Sequence, residues 1–274
     1  MSSRSNNNGS DFRQRLAAWR ISSAQTNAAY KIPVDGDFVF LKIYGPKHPR
    51  GKYELRKFLD GLGWRQPVEY QAPEKRCRFE QKTLRHWQAS GFHVPAPVTP
   101  PLKIPPDMIV LATTYIEGPT LRESLSGPDK GGRKTADRLA GLFTEVAARH
   151  ERALAHQDYH LLHIDANTRN IIFGQSAVFH VDFEMGRPWK PVVAGAAREV
   201  LKLLVSVADD AGPGMHPRLF ELFRQHYRHD PVYACIADSI TGRPLQGWHR
   251  LANQRKKQRH PNKITLYELA EYLF

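Results

Sequence analysis

The chain has 274 residues, 41% of them hydrophobic and 24% charged, a composition that supports a folded core and excludes a wholly disordered chain. No segment approaches the roughly 18 to 20 consecutive apolar residues of a membrane-spanning helix, and the N-terminus lacks the apolar core of a secretory signal. Two cysteines, Cys77 and Cys235, are too few for a disulfide framework. We therefore expect a cytoplasmic protein with free thiols.

The formal net charge of +13 predicts anionic partners. Nucleotides, phosphorylated glycans, acidic lipid surfaces and nucleic acids all satisfy this condition. The densest basic run, residues 250–263, contains no aromatic residue of the kind that stacks on bases. We expect this run to be a solvated or anion-docking face, and we expect no dedicated nucleic-acid binding.

The first half of the chain reads as strands followed by one helix. Residues 1–10 have the polar composition of a flexible tail. Alternating apolar residues and turn signals predict an antiparallel meander with strands at 19–22, 28–33 and 38–44 and turns at 23–27 and 35–36. Residues 74–90 carry Phe79, Leu84 and Trp87 at helical spacing, between Pro73 and Gly91, and predict one amphipathic helix.

Beyond this helix, a Pro-rich loop at 93–98 precedes an apolar strand at 108–116, which ends at the turn Glu117-Gly118-Pro119. The second half is mainly helical. Helices are predicted at 135–152, 201–207, 219–227 and 264–273, and short strands at 160–164, 170–173 and 178–182. The pattern predicts an α+β protein with an antiparallel-sheet N-lobe at 11–117 and a mainly helical C-lobe at 118–274.

Three oxygen-donor side chains lie close together along the second half. Asp165, Asn170 and Asp182 each stand beside a short apolar segment, and such donors are the ligands that magnesium prefers. Phosphoryl transfer needs a carboxylate near the acceptor hydroxyl, oxygen ligands for a metal ion, and a cation on the nucleotide phosphates. The sequence can supply all three.

The spacing of these residues carries a family resemblance. His163-Ile164-Asp165 through Asn170 matches the pattern H-x-D-x-x-x-x-N, and Asp182-Phe183-Glu184 follows in a D-F-x position. The sequence here resembles the protein-kinase-like superfamily. The resemblance implies a two-lobed fold, ATP and Mg²⁺ as cofactors, Asp165 as the residue that orients or deprotonates the acceptor hydroxyl, Asn170 and Asp182 as magnesium ligands, and His163 as a packing residue.

The same resemblance implies a strand lysine paired with a helical glutamate in the N-lobe. Lys42, in the apolar strand at 38–44, fits the lysine that binds the α- and β-phosphates. Glu80 is the expected partner, with Glu74 as the alternative if the helix has another phase. The helix of Glu80, followed by the turn at 91–95, is similar to the corresponding stretch of aminoglycoside phosphotransferases and lipopolysaccharide Kdo/heptose kinases. Glu117 would begin the hinge whose backbone binds adenine.

Several departures point away from ordinary protein kinases. Residues 23–27 replace the Gly-rich loop, so Asn27 and its neighbours would cover the phosphates. Glu184 replaces the glycine of D-F-G, and Asn167 resembles the D-L-N-x-x-N loop of Kdo kinases. The resemblance therefore implies a sugar or glycolipid kinase with an anionic acceptor. Together with the basic surface, it implies peripheral association with the cytoplasmic face of the inner membrane. A small-molecule kinase of the aminoglycoside type, a protein kinase, and a pseudokinase scaffold are the alternatives.

A second match leaves the register of the catalytic loop open. His156-Gln157-Asp158 through His163 also contains H-x-D, and it resembles a heptose-kinase variant with histidine in place of asparagine. In that register Asp158 is the base and His163 stands on the metal side. We favour Asp165 with Asn170, because Asn170 opens an apolar run and a short hairpin then returns to Asp182.

Overall fold

The structure, a computed structural model, describes residues 12–23, 27–45, 72–127, 131–184, 191–241, 255 and 257–274. The predicted tail at 1–10, the middle of the turn predicted at 23–27, and much of the basic run at 250–263 lie outside these residues. Two compact units are formed. The first holds the described residues up to 88, 95–115 and Glu184; the second holds 89–94, 116–183 and the described residues from 191 onward. The predicted lobe bounds, 11–117 and 118–274, stay a prediction.

The first unit is built on a five-stranded antiparallel sheet. Its strands are β1 Arg20–Ser23, β2 Asn27–Val34, β3 Asp37–Tyr44, β4 Pro97–Val98 and β5 Ile109–Thr114, in the order β1-β2-β3-β5-β4. Asp35 and Gly36 join β2 to β3 with φ of 49° and 88°, the two left-handed residues that a tight hairpin turn requires. Tyr30, Ile32 and Leu41 are buried in the core of the unit. The sheet thus forms as the alternating pattern predicts.

Helix α1, Pro73–Ala89, belongs to this unit up to residue 88. Pro73 occupies its first position, where a missing N–H costs nothing, and Glu74 lies in the first turn, where a negative charge favours the helix dipole. The helix ends just before Gly91, whose φ is 82°. Its buried face carries charged as well as apolar residues: Arg76, Glu80, Thr83, Leu84 and Trp87.

The second unit is mainly helical. Its helices are α2 Leu121–Ser126, α3 Arg133–His156, α4 Val192–Ala211, α5 His216–His226, α6 Asp230–Thr241 and α7 Leu266–Leu273. Capping boxes begin α2 and α7, where Thr120 pairs with Glu123 and Thr265 with Glu268. Two short strands, β6 Ile171–Phe173 and β7 Val178–His180, form an antiparallel hairpin. Helix α4 is the most buried helix of the unit and supplies much of its core.

Some predicted elements differ from the structure. The strand predicted at 160–164 is wrong: Tyr159–Leu161 is a 3-10 helix, because the Asp158 carboxylate accepts the His160 N–H at 2.9 Å and caps a turn. Trp19 lies at the end of the 3-10 helix Ala17–Trp19 and not in a strand. Helix α4 is far longer than the predicted 201–207, and α2, α6 and β4 were not predicted. Among the described residues, no helix combines the length and apolarity needed to cross a membrane.

Candidate active site

Lys42 lies on the middle strand of the first unit's sheet. Strand β3 pairs with β2 on one side and β5 on the other, opposite Ala29 and Leu111 at this residue, and only 7% of Lys42 is exposed. Its ammonium donates a hydrogen bond to Glu80 at 2.8 Å. The lysine and glutamate that the resemblance implies are therefore in contact. Glu74, the alternative partner, is exposed in the first turn of α1.

Glu184 adds a second carboxylate to this ion pair and connects it to Arg76. Its carboxylate lies 3.4 Å from the Lys42 ammonium and 3.1 Å from the Arg76 guanidinium. Arg76 and Glu80 are one helical turn apart on the buried face of α1, so both reach the same cluster. Two cations and two carboxylates give no net charge, which is the condition under which buried charges are tolerated. This cluster consists of Lys42, Glu80, Arg76 and Glu184, and we call it the sheet cluster.

Asn27 and Tyr44 complete the sheet cluster's hydrogen bonds. Asn27 accepts a hydrogen bond from Arg76 at 3.2 Å and donates one to Glu184. Tyr44 donates to Glu80 at 2.5 Å. Burial and the neighbouring Glu80 carboxylate raise the pKa of Tyr44 well above its usual range, so its hydroxyl stays a donor. The Asn27 side chain is thus held within the cluster, whereas the resemblance implied a role over the phosphates.

The second unit holds the loop with Asp165 and Asn170. The Asn170 side-chain amide donates to the Asp165 carbonyl at 3.0 Å and to its carboxylate at 3.2 Å. Asn167 donates to the same carbonyl at 2.9 Å and caps the 3-10 helix Thr168–Asn170. These short-range bonds fix the carboxylate of Asp165 beside Asn170. The side-chain oxygen of Asn170 remains available as a ligand.

Asp182 is positioned through its neighbour Val181. The Val181 N–H donates to the Asn170 carbonyl at 3.0 Å, and the Val181 carbonyl lies 2.9 Å from His163 Nε2. Both backbone groups of Val181 are thus bound by the loop at 163–170. Asp182 itself has φ of 67°, a conformation that costs a non-glycine residue energy and that concentrates at functional sites.

The rival register places its two residues differently. The Asp158 carboxylate accepts the His160 N–H and caps a 3-10 helix. His163 is buried, its ring packs on Phe183 with centroids 4.5 Å apart, and burial together with His180 lowers its pKa to about 4. A buried, neutral histidine bound to the Val181 carbonyl acts as a packing residue. The register with Asp165 and Asn170 stays a prediction.

A buried network of charged residues binds the backbone of the loop at 163–170 and of the residues just before it. Glu199 on α4 accepts the His163 N–H at 2.7 Å and pairs with Arg149 on α3 at 2.5 Å. Arg149 also donates to the Leu161 carbonyl at 2.6 Å and to Glu145 at 3.3 Å. Burial alone would raise the pKa of Glu199, but the charges and hydrogen bonds of Arg149 and His150 together hold that pKa below its usual range. Glu199 therefore stays charged and anchors the backbone of the loop.

The predicted hinge lies between β5 and α2. Glu117 is exposed there, and Gly118 has φ of 145°. A Cβ at Gly118 would lie 2.1 Å from the carbonyl oxygen of Phe173, so only glycine fits. The neighbouring Pro119 carbonyl accepts the Phe173 N–H at 2.9 Å. Adenine binding by this segment stays a prediction.

Several residues of these clusters had no assigned role in the sequence prediction. Arg76 and Glu184 belong to the sheet cluster, while Glu199 and Lys202 reach the loop from α4. Arg76 could have been found from its spacing, since it precedes Glu80 by four residues. Glu199 could have been found as a charged residue among the apolar positions of α4.

The chain was compared with protein-family models, curated proteins and solved structures. No protein-family model matches the chain, and no curated protein matches it. Two crystal structures of the PknI kinase domain from Mycobacterium tuberculosis are similar, one of them of a mutant with a single cysteine-to-alanine substitution. The mutant structure has a TM-score of 0.42 and 15% sequence identity, and the match covers 69% of this chain and 71% of the PknI chain. The other structure has a TM-score of 0.39 and 14% sequence identity, and the match covers 69% of this chain and 68% of the PknI chain.

The fold class follows from the elements themselves. The first unit combines a five-stranded antiparallel sheet with helix α1, and the second is mainly helical and contains the β6–β7 hairpin. The predicted α+β class, with an antiparallel-sheet unit and a mainly helical unit, is confirmed. The protein-kinase-like fold stays a prediction.

Proposed function

We propose that the protein is an ATP-dependent phosphotransferase that moves the γ-phosphoryl group to a hydroxyl of a sugar or glycolipid. The observation that carries this proposal is the set of bonds among His163, Asn170 and Val181, which fixes Asp165 and Asp182 on one loop system. A carboxylate base and a metal-binding carboxylate are what phosphoryl transfer requires.

The donor set fits magnesium. Asn170 uses its amide nitrogen on Asp165 and so presents its oxygen, and Asp182 adds a carboxylate; both are hard ligands. Magnesium would neutralise charge that develops on the phosphates. Lys42, held by Glu80, would bind phosphate oxygens. The backbone of Glu117 would hold adenine, and Asn27 would support the sheet cluster.

The chain's own residues then perform an in-line displacement. Asp165 accepts the proton of the acceptor hydroxyl, a bond forms between that oxygen and the γ-phosphorus, and the bond from the γ-phosphorus to the bridging oxygen breaks. The products are the phosphorylated acceptor and ADP. Most of the acceleration would come from positioning and fixed charge, because Asp165 is already held by Asn170.

A row of cations supports an anionic acceptor. Lys75, Arg78, Lys82 and Arg85 are all exposed on α1, and their spacing of three and four residues puts them on one face, along about 15 Å of helix. We call this row the α1 stripe. Among the described residues, none of the four is in an ion pair. Neighbouring like charges on a helix repel one another, so an acidic surface such as a glycolipid-bearing membrane would relieve that repulsion.

One observation favours a scaffold without catalysis. Lys42 is shared between Glu80 and Glu184, so two carboxylates compete with phosphate for one ammonium. Mg²⁺-dependent release of ADP by the purified chain would decide between the two functions. A scaffold would show nucleotide-dependent thermal stabilisation and no ADP release.

The decisive variant is Asp182→Asn, because asparagine tolerates a positive φ and removes only the charge. We expect it to abolish Mg²⁺-dependent ADP release while leaving the fold intact. Asp137→Asn, at an exposed carboxylate on α3, is the matched control. Turnover by the Asp182 variant equal to that of the control would sink the metal assignment. A panel of sugar, glycolipid, aminoglycoside and peptide acceptors would then identify the substrate class.

A further inference from the structure

Helix α4 carries a polar edge that follows the catalytic loop. Glu199, Lys202, Ser206 and Asp210 are spaced by three, four and four residues and so share one face of the helix. Each contacts the loop: Glu199 binds the His163 N–H at 2.7 Å, and Ser206 accepts the Thr168 N–H at 3.1 Å. Asp210 accepts the Thr168 hydroxyl. One helix face therefore holds the loop at successive points.

Lys202 differs from the other three residues of this edge. Its ammonium pairs with Asp165 Oδ1 and lies 3.4 Å from the Ile164 carbonyl, so it reaches the side chain of the proposed base and not only the loop backbone. The Asp165 carboxylate is thus bound on both oxygens, since Oδ2 accepts from Asn170 at 3.2 Å. Rotation of this carboxylate would break one of the two contacts.

No residue of the loop itself supplies this cation. Asn167, two positions after Asp165, folds back on the backbone, donating to the Asp165 carbonyl and accepting the Arg169 N–H at 3.0 Å. The exposed side chain of Arg169 makes no contact with Asp165 among the described residues. The cation that meets the base comes from α4, 37 residues further along the chain.

We propose that Lys202 is a positioning residue for the transfer reaction, which fixes the Asp165 carboxylate toward the acceptor hydroxyl. The inference rests on the proposed function. The ion pair is a surface one, with side chains 43% and 26% exposed, and such pairs contribute about 0 to 1 kcal/mol to stability. Removing Lys202 should therefore change the orientation of Asp165 without unfolding the protein.

The test compares the variants Lys202→Met and Lys202→Arg with the control Lys134→Met. The control also removes one positive charge, at an exposed residue of α3. In Mg²⁺-dependent ADP release, we expect Lys202→Met to lower kcat by about two- to fivefold, the rate equivalent of losing a partly exposed ion pair. KM for ATP should change by less than about twofold, and Lys202→Arg should recover most of kcat. The control should match the wild type.

Equal kcat for Lys202→Met and Lys134→Met, or no recovery with arginine, would overturn the proposal. Crystal structures of the two methionine variants give a readout independent of turnover. We expect Asp165 to leave its position beside Asn170 only in Lys202→Met, and an unchanged Asp165 would refute the positioning role. If the wild-type chain releases no ADP at all, the proposed function fails, and the crystal structures still decide whether Lys202 orients Asp165.

Discussion

The buried pair of Arg149 and Glu199 offers a quantitative prediction about stability. Arg149→Met removes the cation and preserves much of the side chain's volume. Glu199 then stays buried with the His163 N–H, at 2.7 Å, and His150 Nε2, at 3.1 Å, as its nearest partners. Removing one partner of a buried ion pair destabilises a protein by about 3 to 5 kcal/mol. This is a large share of the free energy of unfolding of a typical protein, which is roughly 5 to 15 kcal/mol.

We expect a value near the lower end of this range. Burial lowers the pKa of His150, but the adjacent Glu199 acts in the opposite direction, and proton uptake there can replace part of the lost charge. The predicted loss for Arg149→Met is therefore about 3 kcal/mol. Urea denaturation followed by circular dichroism measures this loss as a change in the free energy of unfolding.

The double variant Arg149→Met/Glu199→Gln tests whether charge is the cause. Glutamine can still accept the His163 N–H through its side-chain oxygen, so the support of the loop is kept while the unpaired charge is removed. We expect the double variant to recover at least about 1 kcal/mol relative to the single one. Arg133→Met is the control, because the Arg133 side chain is 95% exposed and should change stability by less than about 0.5 kcal/mol. A double variant no more stable than Arg149→Met would refute the electrostatic reasoning.

Three further predictions concern the hinge, the loop and the α1 stripe. Gly118→Ala should destabilise the protein by about 2 kcal/mol or more in thermal or urea unfolding, since its Cβ would meet the Phe173 carbonyl oxygen; unchanged stability would contradict the contact. His163 has a folded pKa of about 4, below its ordinary 6.5, so the unfolded chain binds the proton first. Stability should be flat above pH 6.5 and fall toward pH 4, and His163→Gln should flatten that slope in urea midpoints measured across this range. Vesicles with acidic lipids should bind the chain, and Lys82→Glu should weaken binding more than Lys134→Glu in cosedimentation; equal losses would exclude the stripe as the contact.

Local patterns predicted the parts of the structure whose causes are local. The β2–β3 hairpin follows from Asp35 and Gly36, which adopt left-handed conformations at little cost. Helix α1 follows from Pro73 and the spacing of its apolar residues. The short strand expected at 160–164 failed for a local reason as well. An apolar run of five residues does not distinguish a strand from a turn, and the capping bond from Asp158 decided the outcome.

The supporting charges were harder to predict, because their partners are far apart in the chain. Glu199 binds Arg149 across 50 residues and the His163 N–H across 36. Periodicity shows that α4 is helical, and the apolar neighbours of Glu199 show that it is buried, but neither shows which cation lies opposite. Only folding brings the two helices together, so the sequence could predict the loop and not its support.

Glu184 shows how a departure from a motif can be compensated. Considered alone, a glutamate in place of the glycine of the D-F-G pattern would destabilise the fold, because it adds a buried negative charge. Arg76, 108 residues earlier, supplies the matching positive charge, and Lys42 shares it. Since an unpaired buried carboxylate would be costly, Glu184 and Arg76 depend on each other. Lys42 can therefore keep its bond to Glu80, and the added carboxylate by itself does not exclude a phosphate-binding role for this lysine.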